Sequence, residues 1–224
     1  MTTTRLRRSP IPGVRDSYTG VDFNLGFHVR HYELTLDYRV GPNRLSGTAV
    51  LTIENYQQLH SLTLDLSHHM RVAKVSARGV GGMSVQVSKF RHTQGKLRVF
   101  FAQSIPEDQE FYLTIRYVGT PRPIRTVWGE LGWEELTNGA LVASQPCGAP
   151  SWFHFDLVIS ADNPYTVVAN GRLLARRASG SRTTWHYRTD HAMASYLATI
   201  QVGEYQRIEL AQNPVPVIAY IPPS

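Results

Sequence analysis

At 224 residues the chain is long enough to bury a substantial core, and its 42% hydrophobic content is that of a globular protein rather than a disordered one. A single cysteine, Cys147, excludes an intrachain disulfide framework, and no apolar run approaches the roughly 18 residues of a membrane-spanning helix. The formal charge of +6 is spread over sparse basic side chains, part of it in Arg5, Arg7 and Arg8, which argues against a massed nucleic-acid surface.

No apolar stretch precedes Pro10, so a secretory leader is not expected and a soluble cytoplasmic protein is. Residues 1–14 read as a flexible tail, with turn signals at Ser9-Pro10-Ile11-Pro12-Gly13. From His31 to Val40 the pattern becomes strictly alternating, with Tyr32, Leu34, Leu36, Tyr38 and Val40 on one face of a half-buried strand. Gly41-Pro42-Asn43-Arg44 predicts a turn, and Leu45 to Ile53 the antiparallel return strand, with Gly47 at a bulge or a close approach. Further strands are expected at 61–66, at 71–77 (with Val72 and Val75 off register by one), from Val85 to Phe90, at 95–100 and at 110–117. After Gly119 the texture loosens into an irregular insert over about 119–154, punctuated by Pro121, Pro123, Gly129, Gly132 and Gly139. Strand character returns at 155–160, 165–169, 171–176, 183–187 and 193–202, followed by a strand-like tail at 207–220 that carries Pro214 and Pro216. Many short strands and no sustained helical period predict an all-β chain of antiparallel sandwich or strongly curved sheets, with residues 15–221 as a single domain.

Motifs for catalysis are missing. The sequence holds no His-Glu-x-x-His and no Cys-x-x-Cys, so no zinc site is predicted within it, and no Gly-x-Ser-x-Gly elbow. The adjacent pair His68-His69, and His28 with His31 three positions apart, fall on opposite faces of regular strands and make poor joint ligands. Cys147, between Pro146 and Gly148 with no helix following, reads as an ordinary loop thiol. Gly79-Val80-Gly81-Gly82 lacks the Lys-Ser/Thr of a phosphate loop and reads as a hairpin tip; Asp190-His191 reads as a turn. Trp128, Trp133, Trp152 and Phe153 gather around the insert, behind Arg122 and Arg125. With Glu130, Glu134 and Glu135 among them, they suit packing or a ligand-facing edge better than a base-stacking platform. Within the insert, Gln145-Pro146-Cys147-Gly148-Ala149-Pro150-Ser151-Trp152-Phe153 is an apolar, turn-rich loop with one polar side chain, Gln145, leading it.

Taken together and in order, several segments resemble the N-terminal β domain of the M1 family of zinc aminopeptidases, in the flavour of its actinobacterial members. They are His31-Tyr32-Glu33-Leu34-Thr35-Leu36-Asp37, Leu45 to Ile53, Leu62-Thr63-Leu64-Asp65-Leu66, the Gln145–Phe153 loop, Tyr165 to Gly171, and Met193 to Ala198 followed by Val202-Gly203-Glu204-Tyr205. The resemblance implies a saddle-like set of β-sheets that packs against a separate catalytic domain. The zinc, its water and the general base of aminopeptidase chemistry come from that other domain, so no cofactor is expected in this chain. Gln145 matches the family position that binds the substrate's free amine or first side chain; a neutral amide can accept a hydrogen bond there without supplying charge.

Two departures bear on function. The sequence carries neither the exopeptidase Gly-x-Met-Glu-Asn motif nor the zinc motif, and Phe153 leads through His154 straight into Phe155-Asp156-Leu157, so that about a dozen residues usual after Trp-Phe in the family are absent. The expectation is therefore a substrate-edge domain, inactive alone, that meets peptide N-termini only if a catalytic domain is supplied. The alternative is a scaffold module whose orphaned apolar face binds another protein. Neither nucleic acid nor membrane is an expected partner.

Overall fold

Alternation of apolar and polar residues organises the principal sheet. The computed structural model describes residues 26–122, 125–126, 129–130, 154–193 and 197–223, and they are almost entirely β. Seven strands pair in the order β12 (Arg172–Ser179), β13 (Arg182–Arg188), β10 (His154–Asp162), β1 (Phe27–Arg39), β2 (Arg44–Asn55), β7 (Glu110–Gly119) and β4 (Met70–Gly79). A second sheet orders β3 (Leu59–Asp65), β6 (Lys96–Ile105) and β5 (Val87–Thr93). Four short strands form two further pairs: β11 (Thr166–Ala169) with β14 (Ile200–Gly203), and β15 (Gln206–Ala211) with β16 (Val217–Ile221). Within the insert, β8 (Arg125–Thr126) pairs with β9 (Gly129–Glu130).

The core lies between the two larger sheets. Leu45, Ala49, Leu51 and Ile53 of β2 and Phe111, Leu113, Ile115 and Tyr117 of β7 point inward against Leu62 and Leu64 of β3 and Leu97, Val99 and Phe101 of β6. Phe101 meets Phe111 edge to face, ring centroids 5.6 Å apart, one ring from each sheet. Burying each such Leu, Ile or Phe is worth about 1.5–3 kcal/mol, and β1, β10 and β13 extend the same core with residues such as Tyr32, Leu34, Phe155, Leu157 and Trp185. Gly47 is a close approach and not a bulge. The β2 register runs unbroken past it, and an added Cβ would sit 2.4 Å from Cζ of Tyr117.

The strands fall close to the expected segments, with instructive differences. β1 begins at Phe27, and a register shift between Val29 and His31 leaves Arg30 as an extra residue. That bulge brings His28 (opposite Glu54) and His31 (opposite Thr52) onto the same face, correcting the expectation that they oppose each other. The off-register valines of β4 reflect a second such shift between Val72 and Lys74. The glycine turn after β4 is no hairpin tip: it carries the chain from the seven-stranded sheet to β5 of the other sheet, with Gly81 and Gly82 at positive φ. Of the expected strand over 193–202, residues 194–196 lie outside the described residues; the described part holds a strand at Ile200–Gly203 and an isolated bridge at Met193. The expected tail strand over 207–220 splits into the β15–β16 hairpin, because Pro214 and Pro216, lacking an N–H, fall between its arms.

One pairing breaks the antiparallel rule. β10 lies parallel to β1, from His31 opposite His154 to Tyr38 opposite Ala161. Parallel neighbours need a long crossover, and well over a hundred residues separate these two. The stacked rings of Tyr32 and Phe155, centroids 5.1 Å apart, fix the pair from the core side.

Candidate functional site

The Gln145–Phe153 loop lies outside the described residues, as do Trp128, Trp133 and Cys147. What the structure does place is the strand on which that loop ends. β10 begins at His154, and its first core residue, Phe155, is clamped by Thr189. The Phe155 amide donates to Thr189 Oγ1 at 2.8 Å, and the Thr189 amide donates to the Phe155 carbonyl at 3.0 Å. Thr189 is buried, so this clamp is shielded from competing water.

Strand alternation turns His154 and Asp156 to the outer face of the sheet, away from Phe155. The parallel register sets His31 beside His154 and Glu33 beside Asp156, and the antiparallel register sets Arg188 on the other side of Asp156. The result is a polar cluster at the head of β10 drawn from three strands. Asp156 is its hub. It accepts from Arg188 Nε at 2.9 Å and from Arg188 Nη2 at 2.5 Å, and His186 Nε2 lies against its other oxygen. Burial works to raise the Asp156 pKa, but the Arg188 and His186 hydrogen bonds and charges outweigh it and hold the carboxyl below its ordinary value. A carboxylate so neutralised is a structural anchor and a poor general base.

His31 shows the opposite balance. Burial lowers its pKa and outweighs Asp156 and Glu33, which act to raise it, while His154 and Arg188 lower it further. At neutral pH His31 is therefore an uncharged imidazole, able to accept or donate one hydrogen bond. The parallel register places His31 beside His154, a neighbourhood that no local pattern in the sequence shows, because β10 reaches β1 from more than a hundred residues away.

These groups do not fit a zinc ion. Among the described residues no three of His, Cys, Asp and Glu converge on a point from which they could hold a metal, and Asp156 already spends its oxygens on Arg188 and His186. Nor, among the described residues, is any helix long and apolar enough to cross a membrane.

No protein-family model matches the sequence, and no curated protein matches it. Solved structures do resemble the fold. An M1 zinc metallopeptidase from Deinococcus radiodurans superposes with a TM-score of 0.68 at 19% identity, covering 88% of this chain and 48% of that one. A point variant of that enzyme bound to a Tyr-Ser-Ala substrate gives the same TM-score at 20% identity, with the same coverage of the two chains. A two-domain M1 zinc metallopeptidase variant bound to L-tryptophan matches with a TM-score of 0.69 at 21% identity, over 85% of this chain and 46% of the other. This chain thus spans about half the length of the structures it resembles. Its architecture is almost wholly β and multi-sheet, and resembles the M1 aminopeptidase N-domain fold.

Proposed function

We propose that this chain serves as the β half of an M1-type aminopeptidase assembly: a structural and substrate-edge domain that is inactive by itself. The observation that carries the reading is the fold match over 88% of this chain to only 48% of a zinc metallopeptidase. The missing zinc motif in the sequence agrees with it. In this reading residues 15–221 act as one cytoplasmic domain of the kind found in actinobacterial members, and the 119–154 insert ends on the anchored head of β10. Gln145 accepts a hydrogen bond from the N-terminal ammonium of a peptide, once a separate domain supplies zinc, water and base. The test is an assay of the purified chain on aminoacyl-arylamides with added zinc, alongside its zinc content by mass spectrometry. No turnover and no stoichiometric zinc are expected; metal-dependent arylamine release refutes the reading.

A second reading, a protein-binding scaffold, is favoured by one feature. The β15–β16 hairpin exposes Ile208, Leu210, Val217, Ile218 and Ile221 together, with Leu210 63% exposed. The register divides them between the two faces of the ribbon, Ile208 beside Ala219 and Ile218 beside Glu209, and apolar side chains exposed on a two-stranded ribbon suit a covered surface better than a solvated one. Sedimentation of the chain separates the two: self-association lost on Leu210→Glu supports the scaffold, and a monomer unaffected by that change counts against it.

A further inference from the structure

The outer face of the seven-stranded sheet is electrically divided. On the β1–β10–β13 side each cation has a carboxylate. Arg182 binds Asp37 at 2.8 Å and Asp162 at 2.7 Å, Arg39 binds Asp162 at 3.1 Å, and Arg188 binds Asp156 at 2.5 Å. On the β2–β7–β4 side the pattern stops. Arg44, Arg71 and Arg122, with His69, line an open cleft of about 660 Å³ completed by Val118, Gly119 and Thr120. Among the described residues no carboxylate lies within ion-pair distance of any of these three arginines. Lys74 and Arg116, cross-strand partners on the same sheet, extend the positive field.

The cleft's walls are held in place by the fold. Gly119 lets β7 press on the start of β4: an added Cβ would lie 2.2 Å from the His69 carbonyl oxygen and 2.7 Å from Met70 Sδ. Asn43, at φ 47° in the β1–β2 turn, donates from Nδ2 to the carbonyl of buried Pro121 at 2.7 Å, while Tyr38 donates to its Oδ1 at 3.1 Å. These contacts fix the residues that flank Arg44 and Arg122. The half-buried His69 has its pKa lowered by burial first, and then by the neighbouring His68 and Arg122. Like charges gathered with no described carboxylate among them favour an anion that completes the set.

We propose that this cleft binds a phosphate group, as inorganic phosphate or a small phosphomonoester, with Arg44, Arg71 and Arg122 as its ligands and His69 and the Thr120 hydroxyl as hydrogen-bonding partners. Guanidinium forks match phosphate oxygens two at a time, and three of them suit a dianion better than a single carboxylate. The site is independent of the aminopeptidase reading.

The test is an NMR titration of the purified native chain with inorganic phosphate at fixed ionic strength, with acetate and a single-stranded oligonucleotide as comparisons. Expected are saturable one-to-one shifts confined to residues 43–45, 69–71 and 118–122, and acetate weaker by about tenfold or more, since each tenfold is about 1.4 kcal/mol, within the range of one charged hydrogen bond. Arg71→Gln and Arg122→Gln each weaken phosphate about tenfold, the Lys variants retain more, and Arg172→Gln, far across the sheet, leaves affinity unchanged. Shifts that fail to saturate, or that fall outside the cleft, overturn the proposal. So do equal affinity in Arg71→Gln and Arg122→Gln, and oligonucleotide binding without a phosphate response, which marks a diffuse polyanion surface.

Discussion

The ring of Tyr117 lies directly over the backbone of Gly47, so close that a Cβ on residue 47 would meet two ring carbons and the hydroxyl oxygen within 2.6 Å. The two residues face each other across β2 and β7, the strands at the centre of the buried interface. Gly47→Ala forces the ring off its rotamer or the strands apart, and overpacking of this kind costs about 1–3 kcal/mol. Urea unfolding of Gly47→Ala measures the loss, and adding Tyr117→Leu recovers part of it, since residues in contact couple. Additive losses contradict the packing account.

Asn55 stitches the end of β2 to the β6–β7 turn. Its buried side chain donates to the carbonyls of Gln57 at 2.8 Å and Pro106 at 2.5 Å and accepts the Gln109 amide at 2.9 Å, while Asp108 sits at φ 57°. Asn55→Ala leaves three backbone groups without this partner. A buried group so orphaned costs about 1–3 kcal/mol; Gln57 and Pro106 are exposed residues, so a total loss of roughly 1–3 kcal/mol is expected in a chemical melt. A loss below about 1 kcal/mol, the net worth of one ordinary hydrogen bond, shows that water replaces the side chain.

Stability falls on mild acidification. The His31 pKa is depressed in the folded chain, so the unfolded state takes up the proton first. Its contribution is present above the ordinary value of 6.5 and is lost as pH falls below it towards the folded pKa. Asp156 is depressed too, and adds a second loss as pH falls below 3.8 towards its own folded pKa. His69 shares the first window, for the reason given by its burial and its neighbours His68 and Arg122. Melting temperatures between pH 7 and 5 are expected to drop, with a shallower slope in His31→Gln and in His69→Gln. An unchanged slope in both variants contradicts the assignment.

Tyr187 sets the alkaline limit. Its hydroxyl donates to the Val167 carbonyl at 2.9 Å, tying β13 to the β11–β14 pair, and burial first, then Tyr220, push its pKa up to about 12. Stability from this phenol is complete below 10 and is lost as pH rises from there towards 12. Tyr187→Phe costs about 1 kcal/mol at neutral pH, the net worth of one buried hydrogen bond, and flattens the alkaline decline. Retention of the full decline in the variant places its origin elsewhere.

Phosphate offers a further check by a different route. A ligand that binds only the folded chain raises its melting temperature in proportion to the logarithm of its concentration. Native protein is expected to gain stability with phosphate at constant ionic strength, and Arg71→Gln to gain less. Equal gains in the two proteins mean a general salt effect.

The sequence by itself determined the strands, the all-β class and the inward faces. Period-two alternation in segments such as Tyr32–Val40 and Phe111–Tyr117 is a local property, and each residue's face follows from its neighbours. It also marked Gly47 as a special position and left a choice that Tyr117 settles. Beyond the β1–β2 hairpin, which the Gly41–Arg44 turn already implied, tertiary structure decided which strands are partners. The parallel alignment of β1 with β10 sets His31 beside His154 across more than a hundred residues, and the bulge at Arg30 reverses the face of His28 relative to a regular strand. Arg44, Arg71 and Arg122 come from three separate segments and share a cleft only because β2, β7 and β4 are neighbours. Such groupings depend on the burial of the whole core, a sum over many weak contacts that no short stretch of chain encodes.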